Sequence, residues 1–306
     1  MEDVTEKTEV IEHPEKKRKA PTRAEGPSQT AFGCPRDFLD NQFVYVVVSS
    51  RARGLSVGVN MNPDRKCDFN CVYCEVDRTA PLLEKRLDVE AMAVELKKTI
   101  AFVRSGQLRE RPWYHNLPDE LLQLKHVALS GDGEPTLSPD FAEAMQAVVH
   151  VRALGGFPCF KLVLITNTSG LDLPQVQQGL RYLTRNDEIW VKLDGGTQAY
   201  INKVNRSEVP LEKILSNISL LGRQRPLIIQ SLFPAINQEE PPSEEIEAYA
   251  KRLLDLKNAG TQISLVQIYS ATRPTPNSDC GHLPLKVLSR IAQTIRQSTG
   301  LKAEVF

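Results

Sequence analysis

Seven short apolar runs, separated by stretches of helical period, constrain this chain more than any other feature. Phe43–Ser49, Leu55–Val59, Lys125–Ser130, Lys161–Thr166, Glu188–Asp194, Leu227–Ser231 and Ile263–Tyr269 each read as a strand, and strands alternating with helices specify an α/β fold built on a parallel sheet. Asp88 can cap a helix whose apolar positions Val89, Met92, Leu96, Ile100 and Val103 recur at helical spacing. Ser138 and Pro139 offer an N-cap and first helical position for a segment through Val149. Ser243 begins a helix with Ile246, Tyr249, Leu253 and Leu256 on one face, ended by Gly260, and a last helix from Pro284 to Ser298 stops at Gly300. About six parallel strands result, with Phe43–Ser49 readable as an added hairpin partner. The fold class is therefore α/β, an incomplete (β/α)6 TIM-like barrel.

Size agrees. Residues 1–35 are rich in Glu, Lys, Pro and Thr and poor in large apolar side chains, so they are expected to be a disordered tail that cannot offset its ordering entropy. Residues 36–306 form the expected single domain, close to the ~250 residues of a β/α barrel. Within the tail Lys16–Lys19 is a basic cluster, but Glu2, Asp3, Glu6, Glu9, Glu12 and Glu15 surround it, so a solvated tail is the favoured reading over nucleic-acid contact. No apolar run approaches the ~18 residues of a membrane span, and no secretory leader opens the chain. A cytoplasmic location with no membrane partner is expected.

One connection breaks the pattern. Strand-to-helix loops commonly hold 2–6 residues, whereas Asn60 to about Glu84 forms one far longer, a length that implies a task. It carries Cys67, Cys71 and Cys74 at C-x3-C-x2-C spacing. Three thiolates can bind three irons of a cubane cluster and leave the fourth open to a small molecule. Structural zinc is the rival, but it wants a closed tetrahedral set, commonly paired C-x2-C elements, and here Cys34, Cys159 and Cys280 stand singly with no His near the loop. A secreted disulfide framework does not suit thiols so close together.

With Tyr73 just before the last cysteine, the loop resembles the signature of the radical S-adenosylmethionine (SAM) enzymes. The resemblance implies that Cys67, Cys71 and Cys74 bind a 4Fe-4S cluster, and that Tyr73 lies beside the adenine of SAM. Gly131-Asp-Gly-Glu-Pro-Thr136, after the strand Lys125–Ser130, is similar to the Gly-Gly-Glu-Pro element of that family. Gly131 and Gly133 let the backbone approach a ligand, and Glu134 offers a carboxylate to the methionine ammonium group. Asp132, where the commonest form has a second glycine, is a departure that bears on the backbone contacts.

Barrel sites gather where the strands end. The cysteine loop and Glu134 fall there, as do Thr166, Asn167, Lys192, Asp194, Gln230, Ser231, Gln267 and Tyr269, which together suggest a polar ring over an apolar barrel. Lys192 and Asp194 share a face by period-2 alternation, and the resemblance implies polar groups near the SAM ribose and carboxylate at the end of the fourth strand. Lys192 and Asp194 are thus the leading further cofactor-binding candidates, with Asn167 and Gln230 behind them; a structural Lys192–Asp194 ion pair is the competing reading.

The resemblance implies that a reduced cluster cleaves SAM to methionine and a 5′-deoxyadenosyl radical that abstracts hydrogen from substrate, the cofactor carrying the hard chemistry. An external low-potential donor of flavodoxin or ferredoxin type follows, because no second cysteine motif supplies another cluster. Asn60–Arg65, Cys71–Arg78, the glycine motif and Trp190–Asp194 further resemble uncharacterised bacterial relatives of the wyosine-type tRNA-modifying radical SAM enzymes, over roughly residues 43–306. The substrate reading stays open between a tRNA base and a small molecule. Only Cys34 occupies the region where a two-cluster wyosine enzyme has additional cysteines, and net charge is zero, whereas phosphate binding draws on Lys and Arg. Arg51, Arg53, Arg65, Lys66 and Arg78 are candidates for a local basic rim, with ordinary solvated surface charge the equal alternative. Two other readings are an activase that installs a radical on a partner protein and a non-catalytic iron-sulfur electron carrier; the latter has no need of a methionine cradle.

Overall fold

The computed structural model describes residues 31–32, 38–77, 79, 85–155 and 160–306. The 1–35 tail except Ala31 and Phe32, its basic cluster, Cys34, Arg78 and Cys159 lie outside the described residues.

Among the described residues, ten strands and seven α-helices follow one another: β1 (Val44–Ser49), β2 (Gly54–Asn60), α1 (Val89–Arg104), β3 (Leu124–Ser130), α2 (Phe141–Leu154), β4 (Lys161–Thr166), α3 (Pro174–Leu180), β5 (Glu188–Lys192), α4 (Gln198–Asn205), α5 (Leu211–Gly222), β6 (Leu227–Leu232), β7 (Ala235–Ile236), α6 (Ser243–Asn258), β8 (Ile263–Tyr269), β9 (Cys280–Gly281), α7 (Leu285–Thr299) and β10 (Ala303–Val305). Eight strands form one sheet in the order β1-β2-β3-β4-β5-β6-β8-β10. All its pairs are parallel except β1 with β2, the hairpin partner expected from sequence. The sheet curves without closing, and β1 and β10 are its two edges. The incomplete (β/α)6 reading therefore holds for β2 through β8, with two additions: β10 extends the parallel series, and β7 and β9 make a small antiparallel pair.

Alternation along the strands sorts two cores. Leu55, Val57, Val59, Val127, Leu129, Leu162, Leu164, Ile189, Val191, Ile229, Val266 and Ile268 face the helices in one large cluster. Ala128, Val163, Trp190 and Ile228, with Ile165 and Leu265, form a separate cluster on the other face, inside the curve of the sheet. The inner cluster is small, and the inward positions nearer the strand ends are polar.

Helix signals performed unevenly. Asp88 caps α1 by accepting from Ala91 N at 2.9 Å, and Gly260 and Gly300 take positive φ after α6 and α7. The α2 boundary needs correction: the helix starts at Phe141 with Asp140 at its N-cap and runs to Leu154, because the Pro135–Leu137 turn draws the Ser138 N–H to the Pro135 carbonyl. Ala31 is 2% exposed, and its carbonyl accepts from Val48 N at 2.7 Å, on the side of β1 away from β2.

Candidate active site

The loop after β2 arrives at the C-terminal ends of the parallel strands and is tied down by protein contacts along its length. Asn70 N and Val72 N donate to the Asn205 and Val204 carbonyls at the end of α4, and Ser207 Oγ donates to the Asp68 carbonyl. Before the first cysteine, the loop packs on the glycine motif. A Cβ on Gly133 would stand 2.0 Å from the Lys66 carbonyl oxygen, and one on Gly131 would stand 2.9 Å from Asn60 Oδ1. The close approach that these glycines permit is thus made by the cysteine loop itself. Asp132, the departure from the usual motif, is 2% exposed and interlocks with Asn60: Asn60 Nδ2 donates to its carboxylate, and its own N–H donates to Asn60 Oδ1, both at 2.9 Å.

Glu134 is 2% exposed, and its carboxylate gathers four donors: Thr136 N, Thr136 Oγ1 and Thr166 Oγ1 on one oxygen, Asn167 N on the other at 2.7 Å. Burial raises its pKa, opposed by those donors. A carboxylate oxygen accepts about two hydrogen bonds, so the oxygen facing Asn167 keeps room for one more donor. Asn167 continues the chain: its side-chain amide donates to Asp68 Oδ1 at 2.7 Å and reaches Cys67 Sγ at 3.9 Å.

The second polar group centres on Asp194, 1% exposed. One carboxylate oxygen accepts from Leu232 N at 2.9 Å and lies 3.4 Å from Lys192 Nζ; the other accepts from Asn205 Nδ2 at 2.8 Å and from the Tyr73 hydroxyl. The ion pair expected as a competing reading is present, and it sits in the same group as Tyr73. Lys192 Nζ also donates to Tyr269 Oη at 3.1 Å and lies 4.9 Å from the Tyr73 ring centroid. Burial would lower the Lys192 pKa, but Asp194 and Tyr269 raise it and hold the side chain as an ammonium. Gln230 and Gln267 pair with each other at 3.0 Å. Ser231 does not join the ring: it points outward, donating to the Leu193 carbonyl and bonding the Tyr249 hydroxyl of α6.

Asn205 is the functional candidate that sequence reading missed. Its amide reaches Cys71 Sγ at 3.3 Å, the Tyr73 hydroxyl at 3.2 Å and Asp194. Nothing in the sequence singles out an Asn at the end of a short helix. Burial, Asp194 and Cys74 push the Cys71 thiol up to about 12, with Asn205 and Tyr73 opposing.

The donor set fits an iron-sulfur cluster. Cys67, Cys71 and Cys74 are half-buried thiols on one loop, and two amides address their sulfurs, contacts of the kind that tune cluster potential. Among the described residues, no three His, Cys, Asp or Glu converge on a point suited to a single metal ion.

Beside the loop lies a cavity of about 570 Å³, whose walls include Tyr73, Cys74, Glu75, Gly131, Arg51, Tyr269 and Arg273. Among the described residues, the candidate basic side chains do not form one patch. Arg51 lines the cavity, Arg65 is buried, Lys66 is exposed, and Arg53 pairs with Glu304 at 3.0 Å.

By fold the chain is an open, mostly parallel α/β barrel. It overlays on the structure of TYW1 with a lysine-pyruvate adduct bound with a TM-score of 0.55, at 16% identity over 86% of each chain, and on Streptococcus suis SuiB bound to S-adenosylmethionine with a TM-score of 0.55, at 13% identity over 84% of this chain and 52% of that one. In sequence it is similar to a UPF0026 protein of Synechocystis, 30% identical over 185 residues, or 59% of this chain; the chain thus spans 60% of the length of that relative. No family model matches. Among the described residues, no helix is long and apolar enough to cross a membrane.

Proposed function

We propose that the protein is a radical SAM enzyme acting on a substrate drawn from small molecules or tRNA bases. The observation that carries this reading is the hydrogen-bonded unit Glu134–Asn167–Asp68/Cys67. It fuses the two sequence elements that resemble the family's cluster-binding and methionine-binding motifs. Cys67, Cys71 and Cys74 would hold a 4Fe-4S cluster with one iron open. Tyr73, Glu134, Asn167, Lys192, Asp194 and Gln230 would line the side on which SAM lies, with Gly131 and Gly133 giving the cysteine loop room to pack against it.

When bound, the cluster and SAM supply one-electron reductive cleavage of a carbon-sulfur bond and hydrogen abstraction from substrate. The chain's own residues do the rest. Glu134 and Asn167 fix the position of Cys67, Asn205 and Asp194 fix Tyr73 beside Cys71, and Lys192 neutralises Asp194 inside the barrel. An external low-potential donor of flavodoxin or ferredoxin type would supply the electron, since the sequence holds no second cysteine motif for another cluster. The catalytic domain is assigned to residues 36–306, in the cytoplasm.

Anaerobic reconstitution with iron and sulfide, followed by dithionite, SAM and an assay for 5′-deoxyadenosine, tests this reading. Product formation that disappears in Cys71→Ala supports it. A well-formed cluster that never binds SAM would instead make the protein an electron carrier.

A further inference from the structure

We infer that Arg51 is the anchor for an anionic group on the small molecule that this enzyme transforms, and that the substrate is therefore a carboxylate or phosphate compound rather than a neutral one. The inference rests on the radical SAM reading for its chemistry, but the anion site is defined by the cavity alone.

Arg51 sits in the turn between β1 and β2, and that turn is built rather than loose. Arg53 N donates to the Ser50 carbonyl at 3.0 Å, Ala52 N donates to Ser49 Oγ at 3.2 Å, and Arg53 adopts a φ of 55°. Arg53 then points away to Glu304 and is largely exposed, whereas Arg51 lines the cavity beside Tyr73 and Cys74. The guanidinium lies over the Tyr269 ring, 4.4 Å from its centroid. Tyr269 is itself held by Lys192 through its hydroxyl.

Charge accounting singles out Arg51. Lys192 has Asp194, and Arg273 donates to Glu75 at 2.8 Å. Among the described residues, no carboxylate lies within ion-pair distance of Arg51, and its Nε is buried without a hydrogen-bond partner. Its field reaches inside the barrel, where it is one of the charges depressing His126. A guanidinium presents five donors in a fork suited to carboxylate or phosphate, and leaving a buried donor unmade is costly. The cavity thus carries one uncompensated positive charge next to the reaction site. Its size lies in the range of small-ligand pockets.

Two molecules could bring that anion: the substrate, or SAM through its own carboxylate. Binding of benzoate and phenyl phosphate, with benzyl alcohol as the neutral comparison, is measured calorimetrically on the cluster-free protein and on the reconstituted protein saturated with SAM. The comparison covers the wild type, Arg51→Gln, Arg51→Lys and Arg53→Gln, with circular dichroism confirming folding. The expected result is anion binding in both states, weakened tenfold or more by Arg51→Gln, partly restored by Arg51→Lys and unchanged by Arg53→Gln, with SAM affinity the same in all. Equal anion binding in Arg51→Gln would overturn the inference. So would anion binding that saturating SAM abolishes together with weakened SAM affinity in Arg51→Gln, because Arg51 would then serve SAM. If the reconstituted protein ignores SAM altogether, the radical SAM reading fails, while the cluster-free measurement still decides the anion site.

Discussion

Gly133 and Lys66 meet backbone to backbone: Glu134 N donates to the Lys66 carbonyl at 2.8 Å, and the space for a side chain on Gly133 is already filled by that same carbonyl. The residue before the first cysteine is thereby held against the loop after β3. Gly133→Ala cannot be absorbed by turning a flexible side chain, so the cysteine loop must move. The expected cost is about 1–3 kcal/mol in stability, as for overpacked sites, with reduced iron content after reconstitution. Iron and sulfide analysis decides it; wild-type loading in the alanine variant would show that the contact does not position the cysteines.

Asn205 gives a second handle on the same loop. Asn205→Ala removes the donor to Cys71 Sγ and one of the donors to buried Asp194. Stability should fall by about 1–3 kcal/mol through the donor lost by a buried carboxylate. The cluster should still assemble but with a more negative midpoint potential, since hydrogen bonds to the sulfurs favour the reduced, more negative state. Redox titration monitored by electron paramagnetic resonance reads this, and an unchanged midpoint would remove Asn205 from the tuning role.

Away from the site, Asp187 ties β4, β5 and α2 together. Its carboxylate takes both Arg152 Nη atoms, at 2.6 and 3.1 Å, along with Leu162 N, Thr184 N and Thr184 Oγ1. Burial alone would raise its pKa, but Arg152 and the amides of Leu162 and Thr184 hold it below the usual carboxylate range. Asp187→Ala strands a mostly buried guanidinium, so a loss of roughly 3–5 kcal/mol is expected in urea unfolding. A loss below 1 kcal/mol would mean that solvent reaches Arg152 readily.

His126 predicts an acid limb of stability. Burial against Trp190 lowers its pKa from 6.5 to about 4; Glu188 opposes this, while Arg51 and Lys161 reinforce it. The unfolded chain therefore takes up a proton below pH 6.5 that the folded protein refuses until about pH 4. Stability from this group is full above pH 6.5 and declines as pH falls, by about 3 kcal/mol once both pKa values are passed. Urea midpoints between pH 7 and 4.5 should fall less steeply in His126→Gln than in the wild type; parallel slopes would assign the acid limb elsewhere.

Much of this architecture is legible from residues alone, for identifiable reasons. Lys161–Thr166 and Ile263–Tyr269 match their strands end to end, because strands covered on both faces read as continuous apolar runs. The short helices α3 and α4 carry too few turns to show a period, and β10, three residues long, gains its meaning only from pairing with β8. At the site, the cysteines and Glu134 stand out by spacing. Asn205, Asp68 and the inward turn of Arg51 do not, because each depends on what a distant segment brings to it. Ser231 shows the converse: a polar residue ending a strand, next to a true inward neighbour, that serves the helix behind it.

The hydrogen bond from Val48 to the Ala31 carbonyl bears on how the protein is handled. β1 is a Val-rich edge strand, with β2 on one side and Ala31 on the other. A chain trimmed to begin at residue 36, as composition would suggest, loses that cover and leaves the Val48 amide on this apolar edge without its acceptor. Such a margin recruits other chains into intermolecular sheet, so a shortened version would be expected to self-associate during the reconstitution that its chemistry requires.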